Sequence, residues 1–180
     1  MIEMLVLDVD GVLTDGTKVY DCNHDVLSKR FFCKDFTAIK RFIAAGVKVI
    51  MISGDNFNST MANKRNIDFY CSRGSDLSLD KSRFLDMFEN KYGVKKEKMA
   101  FVGDDYFDLS MFKSLKYTFS PFDAPKIIKD HSYQVLNRAG GTGVVVELYD
   151  YFHEKQWLSD ATEEQVADLD KKEATSSEMS

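Results

Sequence analysis

Apolar residues along the chain come in short unbroken runs separated by stretches with helical spacing. Ile2 to Val9, Val47 to Ile52 and Met99 to Val102 are segments of strand length built on the apolar runs 4–7, 49–52 and 99–102, as expected for strands buried on both faces. Ile67 to Cys71, Tyr117 to Ser120 and Tyr133 to Leu136 read as three further short strands. Between them, apolar positions 36, 39, 42 and 43, then 79, 84, 85 and 88, recur at the three-to-four spacing of one helix face. These predict helices over 35–43, ended by Gly46, and over 78–92. Shorter helices are read over 56–66, 108–115 and 124–130, and a last one over 143–152 behind Gly140-Gly141-Thr142-Gly143. Thr17 to Tyr20 and Val26 to Phe32 flank a polar Asp21 to Asp25 segment as the arms of a β-hairpin would.

Strands alternating with helices imply right-handed crossovers and a parallel sheet covered on both faces, an α/β fold with its site at the carboxyl ends of the strands. With 180 residues, the simplest division is one domain over 1–158 and an acidic C-terminal tail over 159–180. A surface helix over 162–172 and a flexible end are expected for the tail.

Composition narrows the function classes. A net charge of -5 offers nucleic acid or anionic lipid no long-range attraction, and no basic cluster offsets it. No apolar run reaches the roughly 18 residues that span a bilayer, and the N-terminus has no secretory pattern, so a cytoplasmic location is expected. Cys22, Cys33 and Cys71 are odd in number and widely spaced, and His24, His131 and His153 lack ligand spacing; neither a disulfide framework nor a zinc site is indicated.

Chemistry enters where the apolar runs stop. Asp8-Val9-Asp10-Gly11-Val12-Leu13-Thr14-Asp15 sets two carboxylates two residues apart at the end of the first strand. Such a pair is costly unless a cation neutralises it, which points to a hard-metal site with one Asp free for covalent work. Ser53 ends the second run, followed by Gly54 and Asp55, and Gly103-Asp104-Asp105 with Asp108 follows the third. Lys81, near the start of a helix, can bring an ammonium to the same opening. Carboxylates, a hydroxyl and a lysine are the parts of a phosphoryl-transfer site.

In their order, Asp8-x-Asp10-Gly11-Val12-x-Thr14, Ser53, Lys81 and Gly103-Asp104-Asp105-x-x-Asp108 resemble the haloacid dehalogenase superfamily of phosphatases. The resemblance covers most of residues 1–150 and implies a Rossmann-like three-layer α/β/α fold. It also implies Asp8 as nucleophile and Asp10 as general acid and then base. Mg2+ would be held by Asp8, the Asp10 carbonyl and Asp104, with Asp105 and Asp108 behind it, while Ser53, Gly54, Asp55 and Lys81 would meet the phosphate or the substrate. The short spacings from Asp15 to Ser53 and from Lys81 to Asp104 leave no room for a cap domain. The hairpin, Lys34-Asp35 and the Ala139 to Gly143 stretch are similar to the small capless branch that acts on 3-deoxy-D-manno-octulosonate 8-phosphate and nonulosonate 9-phosphate. Membership there implies a sugar-acid phosphate substrate and a homotetramer in which neighbouring subunits help cover the open site. The hairpin residues Val19, Tyr20, Val26, Leu27, Phe31 and Phe32 are more apolar surface than one small domain buries around a protruding ribbon, so four hairpins are expected to pair, the alternative being a hairpin folded back on its own domain. Two positions depart from the octulosonate pattern: Asp55 stands where Arg is usual, and Phe36 where Gly is usual. A carboxylate at 55 would repel a sugar acid or pair with a nearby Lys, which favours a nine-carbon over an eight-carbon substrate. Three other readings are a response-regulator receiver, disfavoured by the order of the motifs, an accessory subunit that keeps the fold without relying on turnover, and a phosphatase of the same superfamily acting on another small phosphorylated metabolite.

Overall fold

The computed structural model describes residues 1–73 and 80–178, and side chains as far as residue 175. Six parallel strands form the central sheet: β1 (Met4–Leu7), β4 (Lys48–Ser53), β5 (Asp68–Cys71), β6 (Met99–Val102), β7 (Tyr117–Ser120) and β8 (Gln134–Val135), in the order β5-β4-β1-β6-β7-β8. The remaining two strands, β2 (Val19–Tyr20) and β3 (Val26–Ser28), pair antiparallel as a separate hairpin. Strand side chains alternate between two cores. Leu5, Leu7, Val49, Met51, Ala100 and Val102 face α1 (Cys33–Ala44) and α6 (Val144–Glu154), where they meet Ile39, Phe42, Leu148 and Phe152. Met4, Val6, Ile50, Ile52, Met99 and Phe101 face the opposite layer, α3 (Leu85–Tyr92), α4 (Leu109–Ser114) and α5 (Lys126–His131). The result is a three-layer α/β/α arrangement with no cap domain among the described residues.

The elements follow the hydrophobic pattern with local differences. The segment read as one helix over 56–66 is divided: a 3-10 turn at Asn56–Asn58, whose Phe57 amide donates to the Asp55 carboxylate at 3.0 Å, leads into α2 (Ser59–Lys64). The helix read from Ser78 begins outside the described residues; within them a 3-10 turn at Lys81–Phe84 precedes α3. The second hairpin arm stops at Ser28, and the chain from Lys29 turns inward. Phe31 packs on Phe36 with ring centroids 5.7 Å apart, and Phe32 lies against Gly143. These two phenylalanines are therefore half-buried in their own subunit, a correction to the expectation that they face a partner. Val19, Tyr20 and Leu27 are exposed at 55%, 45% and 65%.

The segment read as a tail carries α7 (Glu163–Glu178), longer than the 162–172 helix expected. Its acidic residues meet basic ones on α1 and just after α2: Glu163 with Arg41 at 2.7 Å, Glu173 with Lys40 at 2.8 Å and Arg65 at 3.4 Å, and Asp170 with Lys40. Among the described residues no helix is long and apolar enough to cross a membrane.

Candidate active site

Register brings the chemistry together. Leu7 pairs with Met51 on one side and with Val102 on the other, so Asp8 to Asp10, Ser53 and Asp104 leave the sheet at one edge. The chain leaving β1 crosses to β4 on one side, and the chain leaving its neighbour β6 crosses to β7 on the other; such a switch point is where open α/β sheets bind ligands. A cavity of about 200 Å³ opens at this edge, lined by Asp8, Asp10, Ser53, Gly54, Asp55, Lys81, Asp105 and Asp108, with Lys18, Ser72, Arg73 and Phe107 completing its wall.

Two glycine contacts hold the acidic loops close. At Gly11 the backbone has φ +90°, and a Cβ there would lie 2.0 Å from Asp104 Oδ2; only glycine permits both the conformation and the approach. A Cβ on Gly140 would lie 2.1 Å from the Gly11 carbonyl oxygen. The Gly-rich stretch before α6 thus buttresses the Asp8–Asp15 loop by backbone packing.

Asp8, Asp104 and Asp108 each bring a carboxylate oxygen within 4.8 Å of the others. Lys81, 4% exposed, donates to Asp8 Oδ1 at 2.5 Å and to Asp108 Oδ1 at 2.6 Å. The other Asp108 oxygen accepts the Asp104 and Asp105 amides at 2.9 and 3.1 Å. Asp108 is therefore committed to holding Lys81 and the loop, whereas Asp104 Oδ1 is buried with no partner. Three carboxylates against one ammonium leave two uncompensated negative charges. Burial first, then Asp8 and Asp108, push the Asp104 carboxyl up to about 9. Burial raises Asp8 to about 7 against the pull of Lys81, with Asp108 adding to the rise. An orphaned oxygen and excess negative charge fit a hard divalent cation such as Mg2+. For Lys81, burial works to lower the ammonium, and Asp8 and Asp108 outweigh it and keep it charged.

Ser53 Oγ accepts from the Asp55 amide at 3.1 Å and from Asn58 Nδ2 at 3.0 Å, which leaves its own O–H to donate. Asp55 pairs with Lys18 at 2.7 Å and Lys29 at 2.9 Å. Burial acts to raise its carboxyl, but those two lysines hold it well below the ordinary carboxylate range. Asp105 is exposed, and its Oδ1 caps the following turn through the Tyr106 amide at 2.7 Å. Phe36, 8% exposed, is a core residue stacked under the Arg65 guanidinium at 3.8 Å and does not line the cavity.

Sequence reasoning missed Lys29 and Asn58. The Lys29 side chain, 0% exposed, donates to both Asp10 oxygens at 2.8 Å and to Asn58 Oδ1 at 3.0 Å, besides Asp55. Asn58, fully buried, donates to Asp10 Oδ2 at 3.1 Å. The acidic strand ends outnumber Lys81 and call for a second cation, but that count identifies neither Lys29 among the lysines nor the uncharged Asn58.

A family model for haloacid dehalogenase-like hydrolases matches residues 75–148. The 3-deoxy-D-manno-octulosonate 8-phosphate phosphatase KdsC of Haemophilus influenzae is 32% identical over 158 residues, covering 88% of this chain and 86% of its own. The protein of that name from Escherichia coli K12 is 29% identical over 152 residues, 83% of this chain and 78% of its own. Among solved structures, the cobalt-bound form of the deoxy-D-mannose-octulosonate 8-phosphate phosphatase YrbI from Haemophilus influenzae aligns with TM-score 0.78 at 31% identity over 87% of this chain and 90% of that one. The Moraxella catarrhalis phosphatase, in complex with magnesium, phosphate and KDO, shares the fold with TM-score 0.76 at 22% identity, covering 85% of this chain and 86% of that one.

Proposed function

Because this chain belongs to the haloacid dehalogenase-like phosphatases, in the branch of the 3-deoxy-D-manno-octulosonate 8-phosphate phosphatases, we propose that it is a Mg2+-dependent phosphatase of a sugar-acid phosphate monoester, the nine-carbon nonulosonate 9-phosphate type in preference to the eight-carbon one. The observation that carries the reading is the buried Asp8–Lys81–Asp108 bridge beside the unpartnered Asp104 oxygen.

Asp8 attacks phosphorus and the bond to the sugar oxygen breaks, giving an aspartyl-phosphate. Asp10 gives its proton to the leaving oxygen, then takes one from the water that attacks phosphorus, so that inorganic phosphate leaves and Asp8 is restored. The Asp8 and Asp104 carboxylates and the Asp10 carbonyl would hold Mg2+, which when bound would supply positive charge to offset theirs and that of the phosphoryl group. The free O–H of Ser53 and the third N–H of Lys81, two of which are taken by carboxylates, are the donors for the remaining phosphoryl oxygens. Asp105 and Asp108 fix the loop that carries Asp104.

Substrate preference turns on Asp55 and Arg73. Asp55 is neutralised by Lys18 and Lys29 and is directed away from recognising a carboxylate, but its oxygens can accept from sugar hydroxyls. Arg73 lines the same cavity, lies over the Phe107 ring at 6.0 Å and has no ion pair among the described residues, which makes it the cation for the substrate's carboxylate. The functional unit is a homotetramer in which the exposed faces of the hairpins meet. Phosphate release from sugar-acid phosphates of six, eight and nine carbons, beside an aryl phosphate, tests the substrate. The highest kcat/KM is expected for nine carbons; equal values across the series would remove the sugar-acid reading.

A further inference from the structure

We propose that Lys29 is the positioning residue that aims Asp10 for proton transfer, so that the hairpin is part of the catalytic apparatus. The inference rests on Asp10 serving as the acid and base of the reaction proposed above.

Lys29 follows β3 directly, and its ammonium is buried among four acceptor oxygens of three side chains. It meets both Asp10 oxygens at 2.8 Å, Asp55 Oδ2 at 2.9 Å and Asn58 Oδ1 at 3.0 Å, with the Phe57 ring 5.3 Å away. An ammonium has three N–H donors, and three side chains take them, which leaves Lys29 none for a substrate. Its effect on chemistry therefore passes through what it holds.

The two Asp10 oxygens are held unequally. Oδ2 accepts from Lys29 and from Asn58 Nδ2 at 3.1 Å, so both of its lone-pair directions are occupied. Oδ1 accepts from Lys29 at 2.8 Å and, only weakly, from the Thr14 hydroxyl at 3.5 Å. Asp10 is thus pinned at Oδ2, and Oδ1 is the oxygen with capacity to exchange a proton with the leaving group and the water. Asn58 is fixed in turn by Ser53 Oγ at 3.0 Å, which ties the proton-transfer atom to the phosphoryl-binding hydroxyl. Misaiming a proton donor costs most when the departing oxygen is a poor leaving group.

The experiment compares Lys29→Met, Lys29→Arg, Asp10→Asn and the K29M/D10N double variant on an alkyl sugar phosphate and on p-nitrophenyl phosphate, with kcat and KM separated. K29M is expected to lower kcat on the sugar phosphate by about a hundredfold and on the aryl phosphate by about tenfold or less, with KM changed less than about threefold on either. K29R should recover part of the sugar-phosphate loss. The double variant should be no slower than D10N on the sugar phosphate, since residues acting as one unit are not additive. Equal losses on the two substrates, or multiplicative losses in the double variant, would overturn the role of Lys29. If D10N itself shows no dependence on leaving group, the acid role of Asp10 fails instead, and the two failures are distinct. Should K29M not fold, Asn58→Leu removes the other donor to Oδ2 and reads the same split; an even loss there also overturns the assignment.

Discussion

Asp8 sits between opposing fields: burial and the neighbouring carboxylates work to keep it protonated, while Lys81 draws it toward the anion an attacking oxygen must be. In the mechanism proposed above Asp8 is both the nucleophile and an anionic metal ligand, so Asp8→Asn should lose more than about a hundredfold in kcat with an unchanged circular dichroism spectrum. Retention of a tenth of the activity would contradict its role. Its neighbours divide the labour differently. Asp104→Ala should shift the Mg2+ concentration for half-maximal activity more than Asp108→Ala does, because Asp104 has the free oxygen and Asp108 has both of its own engaged. A chelator should abolish turnover and added Mg2+ restore it, read as phosphate release. Positions 8, 10, 53, 81, 104 and 108 could be picked out from sequence because each lies at or just past a strand end or near a helix start, and those follow from apolar runs. Lys29 and Asn58 could not. Where a hairpin lysine points depends on the path of the returning chain, and Asn58 is aimed by a 3-10 turn that hydrophobic periodicity does not distinguish from a helix.

At the scale of elements, α1 and α6 are joined by a carboxylate. Asp35, 1% exposed, accepts the Val145 and Val146 amides with one oxygen, at 2.9 and 3.0 Å, and caps a helix whose own cap residue is Gly143. Its other oxygen is buried with no partner. Burial raises this carboxyl from 3.8 to about 6 against the backbone hydrogen bonds. The folded protein therefore binds this proton more tightly than the unfolded chain does. The contribution is greatest below pH 3.8 and is lost as pH rises through about 6. Asp35→Asn keeps the acceptor and removes the titration. Urea unfolding should show the wild type losing stability relative to the variant between pH 4 and 6.5; a constant difference would refute the raised value. The sequence placed Asp35 at a helix start, but its bond to a helix more than a hundred residues later arises only from packing. The reach of α7 to residue 178 was likewise hidden, because its apolar pattern is weak and its contacts with α1 are ionic.

For the whole molecule, the hairpin leaves Val19, Tyr20 and Leu27 in solvent on a ribbon of two short strands, too little structure to be stable without a further surface. Light scattering at micromolar concentration should give a mass near four times 20.6 kDa. Val19→Asp and Leu27→Asp should lower it, and a monomer with full activity would show that the ribbon needs no neighbour. The same ribbon delivers Lys29 to Asp10 within the subunit. In the tetramer proposed above, a protomer that separates from its partners would thus loosen one wall of its own reaction chamber. Specific activity should then decline on dilution, with a midpoint set by the subunit dissociation constant, and recover when the sample is concentrated again. An enzyme built in this way would be switched on by its own abundance.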